Sequence, residues 1–322
     1  MGCPTWHPQT VAQLQELCAR PRWLLSNGGV TLDAAGDLYG TTQSGGPAQF
    51  GLLFKLDAAG TETILNCFTS GTEGNNPQGG VIRDDAGDLY EVTGFGGHGV
   101  INLEVGGVLY KVDASGKETV LYTFSAGVYP QPSLAIDDAD NLYGTTFEGG
   151  KTGCYGYPSC GVVYKLDTAR HRTVLYGFTG GADWDNPNGE LILDSEGNLY
   201  GTTARGGTAG WGIVYTLDPH GNETLLYTFT SGSDGLPGTG GGIPGTGVIR
   251  DAPGNFYGTT AAGGTAGYGV VYQIDPAGNE TVLYNFPEPS SYSSLILHST
   301  SASPRSAVSS TSRSLGSRSG AW

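Results

Sequence analysis

The chain has 322 residues, 56 of them Gly, and a formal net charge of -15. With 15 Lys and Arg against 30 Asp and Glu it carries no basic stripe, which excludes nucleic acid and an anionic membrane as electrostatic partners. No apolar run approaches the ~20 residues of a transmembrane segment, and Gly recurs with a period unlike collagen's among aromatic-rich runs, so a triple helix and a low-complexity chain are excluded too.

Residues 1–26 read as an N-terminal extension in which TVAQLQELCAR (10–20) fits a short helix, without the charged-then-apolar order of a signal peptide. From residue 27 the chain is an internal repeat. LYGTT at 38–42 returns as a degenerate LYEVT at 89–93, as NLYGTT at 141–146 and 198–203, and as FYGTT at 256–260. Its Tyr stands at 39, 90, 143, 200 and 257, giving spacings of 51, 53, 57 and 57 residues. A second run follows each time: LLFKLD (52–57), VLYKVD (108–113), VVYKLD (162–167), IVYTLD (213–218) and VVYQID (270–275). A third follows that: ETILNCF (62–68), ETVLYTF (118–124), RTVLYGF (172–178), ETLLYTF (223–229) and ETVLYNF (280–286). Upstream of the Tyr lies a fourth short apolar run, as in Val81-Ile82, Leu134-Ala135-Ile136, Leu191-Ile192-Leu193 and Val248-Ile249.

All four runs are rich in β-branched and aromatic residues and too short for helices. Four strands per unit is the content of a propeller blade, whose twisted sheet needs a neighbour on each face. The expectation is an all-β fold, a β-propeller of about five four-stranded blades (strands a to d) over residues 27–286, as it stands or as a fragment of a larger propeller. The array starts on a strand a and finishes on a strand d, so no exchanged strand is available to lock the first blade to the last.

The hairpins are legible as well. Between a and b stand DAAGD (33–37), DDAGD (84–88), DSEGN (194–198) and DAPGN (251–255); between c and d stand DAAGTE (57–62), DASGKE (113–118), DPHGNE (218–223) and DPAGNE (275–280). In D-x-x-G the Asp side chain caps a type I turn and the Gly takes a positive φ. Asp140 takes the Gly position in the third a–b turn and should be tolerated, whereas Arg170 at the third c–d turn is a departure expected to cost ~1–2 kcal/mol. These loops lack the alternating ligands and closing Glu of a calcium loop, so no metal is expected in them.

Tight turns on one end leave the long b–c and d–a connections on the other, where binding residues usually reside. The structural reading of those connections is that their Thr hydroxyls satisfy loop backbone and their aromatic rings fill gaps between blades. The functional reading is a shallow polar and aromatic pocket suited to sugars, with Thr146, Thr203, Thr260, Trp211, Tyr268, Asp183, Trp184 and Asp234 as its candidate residues. Cys154 and Cys160, in an exposed b–c loop, are candidates for a disulfide.

Catalytic motifs of the nucleophile-elbow, P-loop, zinc-protease and dinucleotide types do not occur. A five-bladed glycoside hydrolase would need two or three carboxylates converging on the central channel, and the inner strands offer only Glu190. No catalytic residue, cofactor or metal is expected, and the array is expected to be monomeric.

The ordered set N-L-Y-G-T-T-x-x-G-G, G-x-V-Y-K-L-D-x-x-G-x-E-T-V-L-Y-x-F and a Pro-containing link resembles the GloVer tandem repeat of Gloeobacter- and Verrucomicrobia-type bacteria, over residues 27–286. The resemblance implies a secreted or cell-surface repeat protein and no defined activity. From the long-loop face the expected partner is a polysaccharide or another surface protein. The second repeat departs most: Glu91-Val92 replaces Gly-Thr, and its b–c loop runs GFGGHGVINLEVGG. After Phe286, PEPSSYSSLIL reads as the link and first strand of a sixth unit. The Ser/Arg-rich remainder of 287–322 then has the composition of a disordered segment. A shifted reading frame after Leu297, or truncation of a longer array, is the expected cause.

Overall fold

A computed structural model describes residues 29–69, 71–97, 106–154, 157–181, 183, 187, 189–230 and 247–287. Every regular element among them is a β-strand. The first blade holds β1 (Thr31–Leu32), β2 (Leu38–Thr42), β3 (Leu52–Leu56) and β4 (Glu62–Cys67), paired antiparallel in that order. In the second blade the inner strand is in two pieces, β5 (Asn75–Pro77) and β6 (Ile82–Arg83), both paired with β7 (Leu89–Phe95), followed by β8 (Val108–Val112) and β9 (Glu118–Thr123). The third blade has a single inner strand, β10 (Pro130–Ile136), bent by a register shift between Pro130 and Leu134. It pairs with β11 (Leu142–Thr146), and the b–c loop then contributes a small hairpin, β12 (Thr152–Cys154) and β13 (Tyr157–Ser159), before β14 (Val162–Leu166) and β15 (Arg172–Gly177). The fourth blade is β16 (Ile192–Leu193), β17 (Leu199–Thr203), β18 (Ile213–Leu217) and β19 (Glu223–Thr228). The fifth is β20 (Ile249–Arg250), β21 (Phe256–Thr259), β22 (Val270–Ile274) and β23 (Glu280–Asn285). The repeat thus folds as the sequence predicts, five times over. The Pro-containing links differ: Pro77 and Pro130 belong to inner strands instead of loops.

The turns take the expected geometry. Gly36, Gly87, Gly197 and Gly254 at the a–b turns have φ between 85° and 94°, and Asp140 and Arg170 adopt the same left-handed region at 60° and 68°. Arg170 extends its guanidinium across to the preceding blade, where Nη1 donates to the Val120 carbonyl at 3.3 Å. Each a–b turn Asp also accepts a hydrogen bond from the repeat Tyr six residues on, at 3.1 Å for Tyr39 to Asp33, 2.9 Å for Tyr90 to Asp84, Tyr143 to Asp137 and Tyr257 to Asp251, and 2.8 Å for Tyr200 to Asp194. The Tyr therefore recurs because it ties its strand to the turn that precedes it.

Blades adhere through a repeated aromatic joint. The Phe that ends strand d of one blade meets the Tyr of strand c in the next, edge to face, with ring centroids 5.2 Å apart for Phe68–Tyr110, 5.4 Å for Phe124–Tyr164 and Phe178–Tyr215, and 5.1 Å for Phe229–Tyr272. Aliphatic residues of strands a, b and c surround each joint, giving four buried clusters, one at each of the four interfaces between consecutive blades. The strand b Gly is what admits the Tyr. Gly201 lies opposite Tyr215, and a Cβ there would stand 2.5 Å from the Tyr215 hydroxyl.

Candidate functional site

The long-loop end of the blades is built first by its Thr residues. Thr146, Thr203 and Thr260 are buried, as are Thr42 and Thr93 at the same repeat position. Thr146 Oγ1 accepts from the Val162 N–H at 3.2 Å, and Thr260 Oγ1 accepts from the Val270 N–H at 3.1 Å while donating to the Ala262 carbonyl at 2.9 Å. Thr203 donates to the Arg205 carbonyl. The Thr146 and Thr260 hydroxyls pin the loop to the first residue of strand c, and that of Thr203 closes within the loop, so all three are bonded to backbone as in the structural reading. A long loop must satisfy its own backbone groups wherever it leaves water, and the second Thr of the motif does so.

Asp183 is buried too. Its carboxylate accepts from the Tyr176 hydroxyl at 2.8 Å, the Thr179 N–H at 2.9 Å and the Thr179 hydroxyl at 2.5 Å, which consumes it as the cap of the third d–a connection. Trp211 packs half-buried against the core between the fourth and fifth blades. Tyr268, at the same place in the fifth blade's loop, is 40% exposed. Trp184 and Asp234 lie outside the described residues, as does most of the second blade's long loop.

Cys154 and Cys160 are disulfide-bonded with Cα atoms 5.3 Å apart. Their setting differs from the expectation of an exposed loop. Both are buried in the cluster of the third and fourth blades alongside Phe178 and Tyr215, so the bridge ties the β12–β13 hairpin to the interblade core.

Two carboxyl groups stand apart from the turns. Glu190 precedes the fourth inner strand and lines a recess of ≈ 20 Å³, room for one water, where the inner strands of the first four blades converge, with Gly29, Gly80 and Ser133 around it. Burial pushes its pKa up to about 7. No second acid lines this recess among the described residues, and the paired carboxylates of glycoside hydrolysis, ~5–10 Å apart, are not assembled there. Glu91 replaces the strand b Gly of the second blade and is fully buried. It accepts from the Tyr110 hydroxyl at 2.5 Å and the Gly79 N–H at 3.1 Å, with the Thr41 hydroxyl at 3.2 Å. Burial outweighs these bonds and raises its pKa to about 8, a protonated acid near neutrality. The sequence marks both positions as departures from the repeat, but which face of the strand each occupies depends on packing across blades.

Among the described residues no group of three or more His, Cys, Asp or Glu could hold a metal ion, and no helix is long and apolar enough to cross a membrane.

Solved structures of similar shape share the propeller architecture at low sequence identity. A protein provisionally described as a gluconolactonase matches with a TM-score of 0.50 at 14% identity, over 83% of this chain and 80% of its own. An oligogalacturonate lyase in complex with manganese matches with a TM-score of 0.50 at 14% identity, over 81% of this chain and 65% of its own. At such identity the likeness extends to the fold alone. No curated protein matches the sequence. The Gloeobacter/Verrucomicrobia repeat matches residues 25–243 and 106–303, and the chain belongs to that repeat family.

Proposed function

We propose that this chain is a non-catalytic secreted or cell-surface protein whose blades form a recognition and display scaffold. The observation that carries this reading is the division of labour in the long loops. The repeat-invariant polar groups, Thr146, Thr203 and Thr260, are spent on holding the loops. The side chains that change from blade to blade, such as Arg205, Trp211 and Tyr268, are carried on that constant frame. A rigid scaffold with variable loop tips is suited to binding. The buried Cys154–Cys160 bridge is supporting evidence for an oxidising, extracytoplasmic destination. Chemistry is disfavoured because no partner acid for Glu190 lines its recess among the described residues.

The second reading is a carbohydrate-binding propeller, and Tyr268 favours it. An aromatic ring 40% exposed on a loop of Gly, Thr and Ala is a stacking platform for the apolar face of a sugar. A polysaccharide or another surface protein is the partner class in either reading. The test is a glycan and surface-protein binding array with the full chain, run beside Tyr268→Ala and Trp211→Ala. Binding to glycans that Tyr268→Ala abolishes supports the lectin reading. Binding to proteins only supports the scaffold reading, and no binding to either class overturns both.

A further inference from the structure

Four residues before the Asp of each a–b turn the chain passes the axis, and the residues at that position are Gly29, Gly80, Ser133, Glu190 and Gly247. The position favours small residues because neighbouring inner strands meet there backbone to backbone. A Cβ on Gly80 would stand 3.0 Å from the Gly29 carbonyl oxygen, and one on Gly247 would stand 2.3 Å from that of Glu190. Glu190 is therefore the one long side chain of the ring, and the other blades close at the axis without it.

The other polar side chains of the recess are engaged across blade boundaries. Ser133 Oγ accepts from the Leu191 N–H, and the Thr31 hydroxyl donates to the Val81 carbonyl. The Glu190 carboxyl has no such bond: burial alone acts on its pKa, with neither a hydrogen-bond donor nor a charge to oppose it. The cations of the inner strands, Arg83 and Arg250, stand over the rings of Tyr39 and Tyr200 instead. A buried carboxyl without a partner is costly, and in a concave site it is the arrangement expected where a ligand supplies the partner. A guest carrying a positive charge would relieve the cost.

The recess limits what that guest can be. Its volume of ≈ 20 Å³ admits one water-sized group, Glu190 is the only charged residue lining it, and Val30, Val81, Leu134 and Leu191 make much of its wall. Glu190 keeps some contact with solvent, so the recess can be entered. We propose that the axial recess binds the ammonium group of a primary alkylamine, with the Glu190 carboxylate as its counter-ion. An ammonium head is of water size and brings N–H donors for a charge-assisted bond to the carboxylate, while the alkyl stem suits the apolar wall. A calcium ion, which takes ~6–8 oxygen ligands, suits it less, because the recess offers a single carboxyl. The net charge of -15 also draws cations toward the molecule. The site is independent of whether the long loops act as a scaffold or as a lectin.

Isothermal titration calorimetry of the full chain with n-butylammonium chloride, at constant ionic strength, tests this. The wild type should bind one equivalent at pH 8. Binding should be about tenfold weaker at pH 6, because the guest competes with the proton of a carboxyl whose pKa is about 7. Glu190→Gln should weaken binding about tenfold or more, the effect of losing a charged hydrogen-bond partner. If that variant fails to reproduce the wild-type circular dichroism, Glu190→Gly restores the residue found at Gly29, Gly80 and Gly247 and should show the same loss. Tetramethylammonium has the same charge but is too large for the recess and has no N–H to donate, so it should not bind. A wild type without saturable butylammonium binding overturns the proposal. So does undiminished binding by a folded Glu190 variant, equal affinity at pH 6 and pH 8, tetramethylammonium binding as tightly as butylammonium, or calcium binding that displaces the amine.

Discussion

At the scale of single residues, the repeat motif is a set of contacts between two neighbouring strands and between two neighbouring blades. The strand b Gly exists to admit a strand c Tyr, so Gly201→Ala should destabilise the fold by about 1–3 kcal/mol through overpacking, measured as a lowered urea midpoint at unchanged slope. The one blade that breaks the rule has found a different solution. Glu91 occupies the Gly position and takes the Tyr110 hydroxyl as its donor. Its pKa is raised from 4.5 to about 8, so the folded state holds this proton more tightly than the unfolded chain does. The contribution to stability is therefore full below pH ~4.5, declines as pH rises through the range up to ~8, and falls no further above it. Glu91→Gln keeps the acceptor for Gly79 and removes the titration. It should flatten the stability profile between those limits and gain about 2 kcal/mol or more over the wild type at pH 8, read from thermal melts across pH. A variant whose profile keeps the wild-type slope would show that the carboxyl is already ionised in the fold.

At the scale of strands, turns and loops, the hairpins show how much a local sequence can specify. D-x-x-G named eight turns with their positive-φ residues, and the two substitutions, Asp140 and Arg170, adopt the same backbone as the Gly they replace. Asp relieves this locally, but Arg170 has only an exposed contact with the Val120 carbonyl to offset its φ of 68°. Arg170→Gly should therefore stabilise by about 1 kcal/mol, seen as a raised melting temperature, and a loss of stability would mean that the reach to the third blade's neighbour matters more than the turn. What the sequence left hidden was tertiary. The Tyr to Asp bonds were present as a constant spacing of six residues, visible once the hairpin register is known. The split of the inner strand at Asn75–Pro77, the β12–β13 hairpin and the burial of Cys154 and Cys160 depend on how the next blade packs, and no local pattern announces that. The candidate binding residues differ in exposure for the same reason. Thr146, Thr203, Thr260 and Asp183 read as polar loop residues in sequence, yet the fold turns them inward, while Tyr268 remains available.

At the scale of the whole molecule, five near-identical sheets are held by four near-identical joints, and this makes the protein approximately a sum of blades and interfaces. Function is then expected where the repeats differ, at loop tips and at the axis. Among the described residues the axial recess holds one acid, Glu190, without a second carboxylate, and the loop tips hold the exposed ring of Tyr268. The claim that the scaffold recognises without transforming is tested most directly by incubating the full chain with whichever ligand an array identifies and recovering that ligand for mass spectrometry. The account predicts that the ligand is bound and returned unaltered, by wild type and Glu190→Gln alike. Conversion of the ligand by the wild type, lost in Glu190→Gln with binding retained, would contradict it and make the axial recess an active site.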